Sequence, residues 1–391
     1  MVVVVGSAAP HVEYQNVQKS YDGQTLVVED LNLAVQKGEF LTLLGPSGSG
    51  KTTCLMMLAG FEQTSAGTIL VDGVSVQDLP PDKRGIGVVF QNYALFPHMT
   101  VGGNLSFPLE VRRLPPTERA ERVRRALRLV QLEGFEDRRP GQLSGGQQQR
   151  VAIARALVFE PDLVLMDEPL GALDRRLREE MQFEIRRIQR ELGVTVIYVT
   201  HDQQEAMVMS DRVAVFRDGR IEQVAAPETL YEEPERAFVA HFIGENNLLA
   251  GTVVGSDGDI CVVDTQGGTV HAFDVAGSAP GDEVLLAIRP ERVGVQPDGV
   301  SADSVSDDSV SDDTGHYANE LAAAVVDVVF IGDHLRVRLK VGERDDFIAK
   351  IPNIVGHGRV LPGDTVRIGW ATLDCRALPP DPTVLQTEDD R

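Results

Sequence analysis

Residues 40–52 read Phe-Leu-Thr-Leu-Leu-Gly-Pro-Ser-Gly-Ser-Gly-Lys-Thr, and the fold turns on how this stretch is read. A short apolar run, residues 40–44, leads into G-x-x-x-x-G-K-T over Gly45, Pro46, Ser47, Gly48, Ser49, Gly50, Lys51 and Thr52. A helical pattern follows from Lys51 to Gly60. A strand before and a helix after are the setting in which this motif forms a phosphate-binding loop. The glycines let successive N–H groups turn into one concavity, and the helix N-terminus adds positive potential. Lys51 is placed to reach terminal phosphates, and the Thr52 hydroxyl to ligate Mg2+.

A triphosphate also needs a metal partner and a base. Leu163-Val-Leu-Met-Asp167-Glu168 is an apolar strand ending in two acids, at the edge of an α/β sheet where ligands bind. Asp167 is expected in the Mg2+ shell, and Glu168 as the group that orients or deprotonates the attacking water. Leu143-Ser144-Gly145-Gly146-Gln147-Gln148-Gln149-Arg150 ends 17 residues before Asp167 and opens a helix expected over 147–159. Ser144, Gly145 and Gly146 therefore offer a second anion-binding surface at a helix N-terminus. One chain does not need two such surfaces for one terminal phosphate. A head-to-tail pair of chains explains both, each triphosphate being clasped between one cradle and its neighbour's LSGGQ.

LSGGQ beside a phosphate cradle resembles the ATP-binding cassette family. The resemblance implies an α/β P-loop NTPase with a helical subdomain, using ATP and Mg2+. It carries roles residue by residue. Tyr21, in KSYDG, matches the aromatic that stacks on adenine, with Tyr14 as a weaker candidate. Gln91, in VVFQNYALFPHMTV, matches the glutamine that links Mg2+ and the attacking water to the subdomain interface. Asp174, in LGALD, matches the loop communicating between the two sites, and His201, in VTHD, the histidine that contacts the γ-phosphate. Gln147 and Thr53 join the nucleotide-contacting set. The region from Tyr93 to Val101 matches the groove that receives a short permease helix, which implies an exposed apolar patch.

Around these motifs, residues 11–245 alternate strand-like and helix-like runs, among them 194–200 and 213–216, as expected of a largely parallel, buried sheet. After Gly244 short β-type runs are punctuated by Asp257-Gly258, Gly267-Gly268 and Pro362-Gly363, which suits an all-β, OB-like domain of one or two small barrels over 246–380. Residues 298–317 are Ser/Asp-rich, with SVSDD written twice, and are read as a disordered acidic insertion; 381–391 are read as a flexible tail.

The 391 residues carry a net charge of −22. Up to residue 245 there are 26 Lys and Arg against 34 Asp and Glu, and beyond it 11 against 25. Neither half has the basic field of a nucleic-acid binder, so no nucleic-acid partner is expected. Arg119, Arg122, Arg124, Arg125 and Arg128 cluster on one helix and are read as a solvated face rather than a phosphate stripe. Only six of the 37 basic residues are lysine, a bias shared with proteins of salt-loving organisms. Cys54, Cys261 and Cys375 lack metal-type spacing and are expected to be reduced thiols. No run of 18 apolar residues is present, and residues 1–10 lack the basic flank and apolar length of a secretory signal.

One cassette followed by a β extension resembles the ATPase subunit of binding-protein-dependent importers. Ile288-Arg289-Pro290-Glu291 matches a recurring phrase of that extension. DHLRVRL (333–339), DFIAKIPN (346–353) and VRIGWATLDCRAL (366–378) look most like spermidine/putrescine importers, while sugar, sulfate and ferric-iron importers share the layout. The resemblance implies a homodimer at the cytoplasmic face of the cell membrane, two transmembrane permease subunits, and an extracytoplasmic solute-binding protein met indirectly. A soluble chromosome-type ATPase would insert a coiled coil between Gln91 and Ser144, but only 53 residues separate them. A ribosome-directed one would carry two cassettes.

Overall fold

The computed structural model describes residues 9–297, 317–354 and 360–385. The acidic insertion expected over 298–317 therefore lies outside the described residues, apart from Tyr317. The described chain forms two compact units, with the break between Glu228 and Thr229. The sequence changes texture near residue 245, but residues 229–245 already belong to the second unit.

The first unit is built on a six-stranded sheet. From edge to edge its strands are Arg220–Ala225, Arg212–Arg217, Phe40–Leu44, Thr195–Thr200, Leu163–Asp167 and Gly87–Val89. All neighbours run parallel except the edge strand Arg220–Ala225. The three central strands are buried at every position. Covered on both faces, they read as continuous apolar runs rather than alternating ones. A second, antiparallel sheet orders Leu26–Val35, Val12–Ser20, Ala66–Val71 and Val74–Ser75. Its inward residues Val12, Tyr14, Val17, Val28 and Leu31 share a core with the helix Lys51–Ala59 and with Leu41, Leu43 and Leu165 of the first sheet.

On the opposite side, the helices Val101–Val111, Pro116–Leu129 and Gly145–Leu157 enclose a core with Val164, Met166, Val196 and Tyr198. Four of the five arginines on Pro116–Leu129 are charge-paired, and Arg124 donates instead to the Ala120 carbonyl. Arg122 bonds Glu118 and Glu160, Arg125 bonds Glu160, Arg128 bonds Glu133, and Arg119 pairs with Glu110. Each acid satisfies a guanidinium that a phosphate would otherwise claim.

The second unit closes a five-stranded barrel from Asn247–Asp257, Ile260–Thr265, Gly268–Asp274, Cys375–Leu378 and Glu283–Ile288. Strand number and closure match the expected OB-like form. A five-stranded sheet adjoins it, ordered Gly294–Pro297, Thr365–Trp370, Asn319–Phe330, His334–Val341 and Arg344–Pro352. Barrel and sheet share one core around Trp370, Val263, Leu286, Val337 and Ile368. Of the tail read as flexible over 381–391, residues 381–385 are described and the rest lie outside the described residues. Pro382–Leu385 is a helical turn, and Val384 packs with Ala237, Leu248 and Leu378. The three cysteines are unpaired and buried. Among the described residues no helix is long and apolar enough to cross a membrane.

Candidate active site

The loop after Phe40–Leu44 takes the cradle form expected of it. Gly48 and Gly50 sit at φ 81° and 99°, where side chains bring strain. A Cβ on Gly50 would stand 2.7 Å from the Val27 carbonyl oxygen, so the loop can lie here only if position 50 has no side chain. Lys51 opens the helix and turns back over the loop, donating to the carbonyls of Gly45 at 2.8 Å and Pro46 at 2.7 Å. Burial lowers its pKa, against the pull of Glu168 and Asp167. A poorly hydrated ammonium lying over a glycine-rich loop at a helix N-terminus suits an anion. At the far end of the same helix, Arg84 donates to the carbonyls of Met57 and Leu58 at 2.8 and 2.7 Å, fixing the helix that carries the cradle.

The strand Leu163–Asp167 delivers its acids to this cradle. Thr52 Oγ1 donates to Asp167 Oδ1 at 2.9 Å. Asp167 is almost wholly buried, and desolvation raises its pKa against the Thr52 hydrogen bond. A hydroxyl and a carboxylate side by side, the latter short of positive charge, suit a hard divalent cation that completes its shell with phosphate and water. Glu168 follows at φ 41°, in the left-handed region, with its N–H donating to the Val199 carbonyl at 3.0 Å. Such strain, held by the neighbouring strand, is what functional positions store. It aims the carboxylate out of the sheet edge, where Gln91 Nε2 donates to Oε2 at 3.3 Å and His201 Nδ1 lies 3.1 Å from Oε1.

Lys51, Thr52, Gln91, Asp167, Glu168 and His201 thus converge on one edge of the sheet. Ser144 and its neighbours form a separate feature. Ser144 caps the helix Gly145–Leu157, which starts two residues earlier than the sequence suggested. The Gln147 N–H donates to Ser144 Oγ, and the Ser144 N–H to Gln147 Oε1. A Cβ on Gly146 would meet Leu177 at 2.8 Å, so this position is small for packing as well as for ligand approach. Asp174 is likewise a cap, accepting from the Leu177 N–H at 3.0 Å. Tyr21 stands exposed after the strand Val12–Ser20, with Lys19 Nζ 4.7 Å from its ring centroid, and its free face can take a planar base. Tyr14 cannot, being buried with its hydroxyl donating to the Cys54 carbonyl. The segment after Gln91 divides. Tyr93 and Val101 are core, while Pro97 and His98 are exposed, and Phe96 packs edge-on against a partly exposed Phe107.

Sequence reasoning missed Arg155. Its guanidinium donates to the carbonyls of Ala94 at 2.7 Å and Tyr93 at 2.9 Å, two residues held at φ 48° and 62°. It fixes the bend just after Gln91. One more arginine on a helix gives no such signal.

Residues 28–171 match the ABC transporter family, and residues 286–378 match the TOBE domain. The chain is 45% identical over 370 residues to the spermidine/putrescine import ATP-binding protein PotA of Rubrobacter xylanophilus, covering 94% of this chain and 93% of that one. It is 52% identical over 283 residues to the protein of the same name in Chromobacterium violaceum, covering 72% and 78%. Among solved structures, it is similar to an ATP-binding cassette in a dimeric post-hydrolysis state bound to ADP and Pi, with 35% identity and TM-score 0.50 over 55% of this chain and 98% of that one. It is also similar to cbiO1 of Clostridium perfringens, part of the cbiONQ ABC transporter complex, with 31% identity and TM-score 0.55 over 58% and 92%. With identity sustained over nearly the whole chain, the chain belongs to the ABC transporter family.

Proposed function

We propose that this chain binds ATP with Mg2+ and hydrolyses it to drive spermidine/putrescine import through partner permeases. The observation that carries the reading is Glu168, strained at the end of its strand and held between Gln91 and His201 beside the Lys51 cradle. The polyamine assignment rests on the likeness to the PotA proteins over both units.

In this reading Gly45 to Thr53 wrap the phosphates and Tyr21 stacks on the adenine. Thr52, Asp167 and Gln91 would hold Mg2+, which would supply charge neutralisation to the bound phosphates. Glu168 takes the proton of the attacking water, and His201 steadies the terminal phosphate on its other side. Ser144 to Gln147 and Asp174 serve the nucleotide of a second copy, so the working form is a homodimer. The ATPase works at the cytoplasmic face of the membrane, on two permease subunits, and meets the solute-binding protein only through them. Residues 11–245 form the nucleotide-binding domain in this reading and 246–380 the β domain.

Glu168→Gln keeps the hydrogen-bonding shape and removes the base. Turnover of purified protein should fall by at least ~100-fold while ATP binding persists; wild-type turnover would remove Glu168 from the chemistry. Co-purified permeases and solute-binding protein identify the cargo. Stimulation of ATPase activity by spermidine or putrescine is expected, and stimulation by sulfate, a sugar or ferric iron alone would reassign it.

A further inference from the structure

His201 and the loop 170–174 flank Glu168 from two sides. The Gly171 N–H donates to the Glu168 carbonyl at 3.3 Å, and His201 lies against the carboxylate. His201 is exposed, while Leu170 and Leu173 anchor the loop in the core. Both are tied to one buried group outside the nucleotide cradle.

That group is Glu205, on the short helix Gln203–Met209 and only 3% exposed. Its Oε2 accepts from Tyr198 Oη at 2.7 Å and from Thr200 Oγ1 at 2.8 Å. Thr200 Oγ1 in turn accepts from the Asp202 N–H at 2.9 Å, so the hydroxyl spans the backbone on both sides of His201. Glu205 Oε1 faces Arg178 Nε at 3.8 Å, and that Nε has no hydrogen-bond partner. Arg178 also donates to Asp202 Oδ2 at 3.2 Å and to the Leu173 carbonyl at 3.1 Å. One guanidinium therefore reaches the loop before Asp174, the residue after His201, and the buried carboxylate. Burial pushes the Glu205 carboxyl up, opposed by the two hydroxyls and the guanidinium. Keeping an acid here costs stability that a buried apolar side chain would not, which calls for a use.

We propose that Glu205 and Arg178 form a clamp that positions His201 and the 170–174 loop against Glu168, setting the rate of hydrolysis without contacting nucleotide. The inference rests on the hydrolytic reading above. Glu205→Gln with its amide oxygen toward Tyr198 and Thr200 keeps their acceptor and turns its NH2, a donor, toward Arg178, so it severs the clamp at one joint.

The test is steady-state ATPase of the full chain with its permeases, together with nucleotide binding and thermal midpoint. Glu205→Gln and Arg178→Ala are each expected to lower kcat by about tenfold with KM and ATP affinity within about twofold of wild type. Arg178→Lys should recover part of the loss. The decisive arm adds Glu205→Gln to His201→Ala. Glu205 reaches Glu168 through Thr200 and His201, while the loop is held by Arg178, so with His201 gone the double variant should be no slower than His201→Ala alone. Additive losses would overturn the clamp and leave the hydrolytic reading standing. A His201→Ala chain at wild-type speed would remove the premise and the clamp with it. Should Glu205→Gln fail to fold, Tyr198→Phe, which deletes one hydroxyl, carries the same comparison, with a smaller loss that again vanishes in the His201→Ala background.

Discussion

Two sets of buried polar side chains, one from each unit, do opposite work. The set in the second unit imitates backbone, as Asn104 does with Phe96 in the first. Asn319 accepts from the His271 N–H and donates to its carbonyl, as a strand partner would. Asn247 does the same with Ile348. Arg289 donates to the carbonyls of Tyr231, Ile243 and Glu245, binding the segment just past the unit boundary. In the first unit three of the buried charged side chains, Lys51, Asp167 and Glu205, gather at the C-terminal ends of the central strands and face side chains and a loop rather than completing a ladder. A buried polar group matched to backbone is architecture. A buried charge at a sheet edge serves a site: Lys51 and Asp167 face the cradle itself, and Glu205 faces the residues around it.

Arg289→Ala breaks the comparison most sharply. It strands three carbonyls and removes a cation stacked 3.9 Å from the Tyr231 ring. The second unit should lose about 4 kcal/mol, and nucleotide binding by the first unit should be unchanged. Trp370 is the chain's only tryptophan and is fully buried in the second unit, so its fluorescence in urea reads that unit alone. A loss below about 1 kcal/mol would mean that these carbonyls find water without cost. Lys51→Ala should do the reverse. ATP binding should weaken by about 100-fold, while the Trp370 transition stays where it was. An equal shift in both would erase the distinction between the units. Asn319→Ala is the smaller structural case, expected to cost about 2 kcal/mol on the Trp370 probe with ATP turnover intact.

The two kinds of residue were unequally legible. The cradle, Asp167 and Glu168 could be read because local physics fixes them: an apolar run buried on both faces, then a turn that only glycine permits, or a pair of acids. Arg289 was visible as part of Ile288-Arg289-Pro290-Glu291, but its carbonyl partners lie more than forty residues upstream. Closure of the barrel by Cys375–Leu378 beside Phe273–Asp274 is likewise a pairing across distant sequence. Glu205 reads as one more acid on a polar helix, since its burial depends on Tyr198 and Thr200 projecting from the preceding strand. Tyr14 and Tyr21 are the same residue type seven positions apart. Strand alternation and hairpin length put one in the core and the other in solvent.

Asp167→Asn probes the edge of the comparison, with the smallest expected effect on stability. Asparagine keeps an oxygen for the Thr52 hydroxyl and removes a charge that burial disfavours. The first unit should gain about 1 kcal/mol at neutral pH, while hydrolysis is lost with the cation ligand. The sign follows from linkage. A carboxyl whose pKa is raised on folding binds its proton more tightly in the folded state, so ionisation costs stability as pH rises above the ordinary value of 3.8. Below that value both states carry the proton, and the advantage of the asparagine should vanish. Far-UV circular dichroism melts at neutral and acid pH measure it. A variant less stable than wild type at neutral pH would show that the Asp167 charge is already compensated within the fold, and that the edge of the first unit is built as the barrel is.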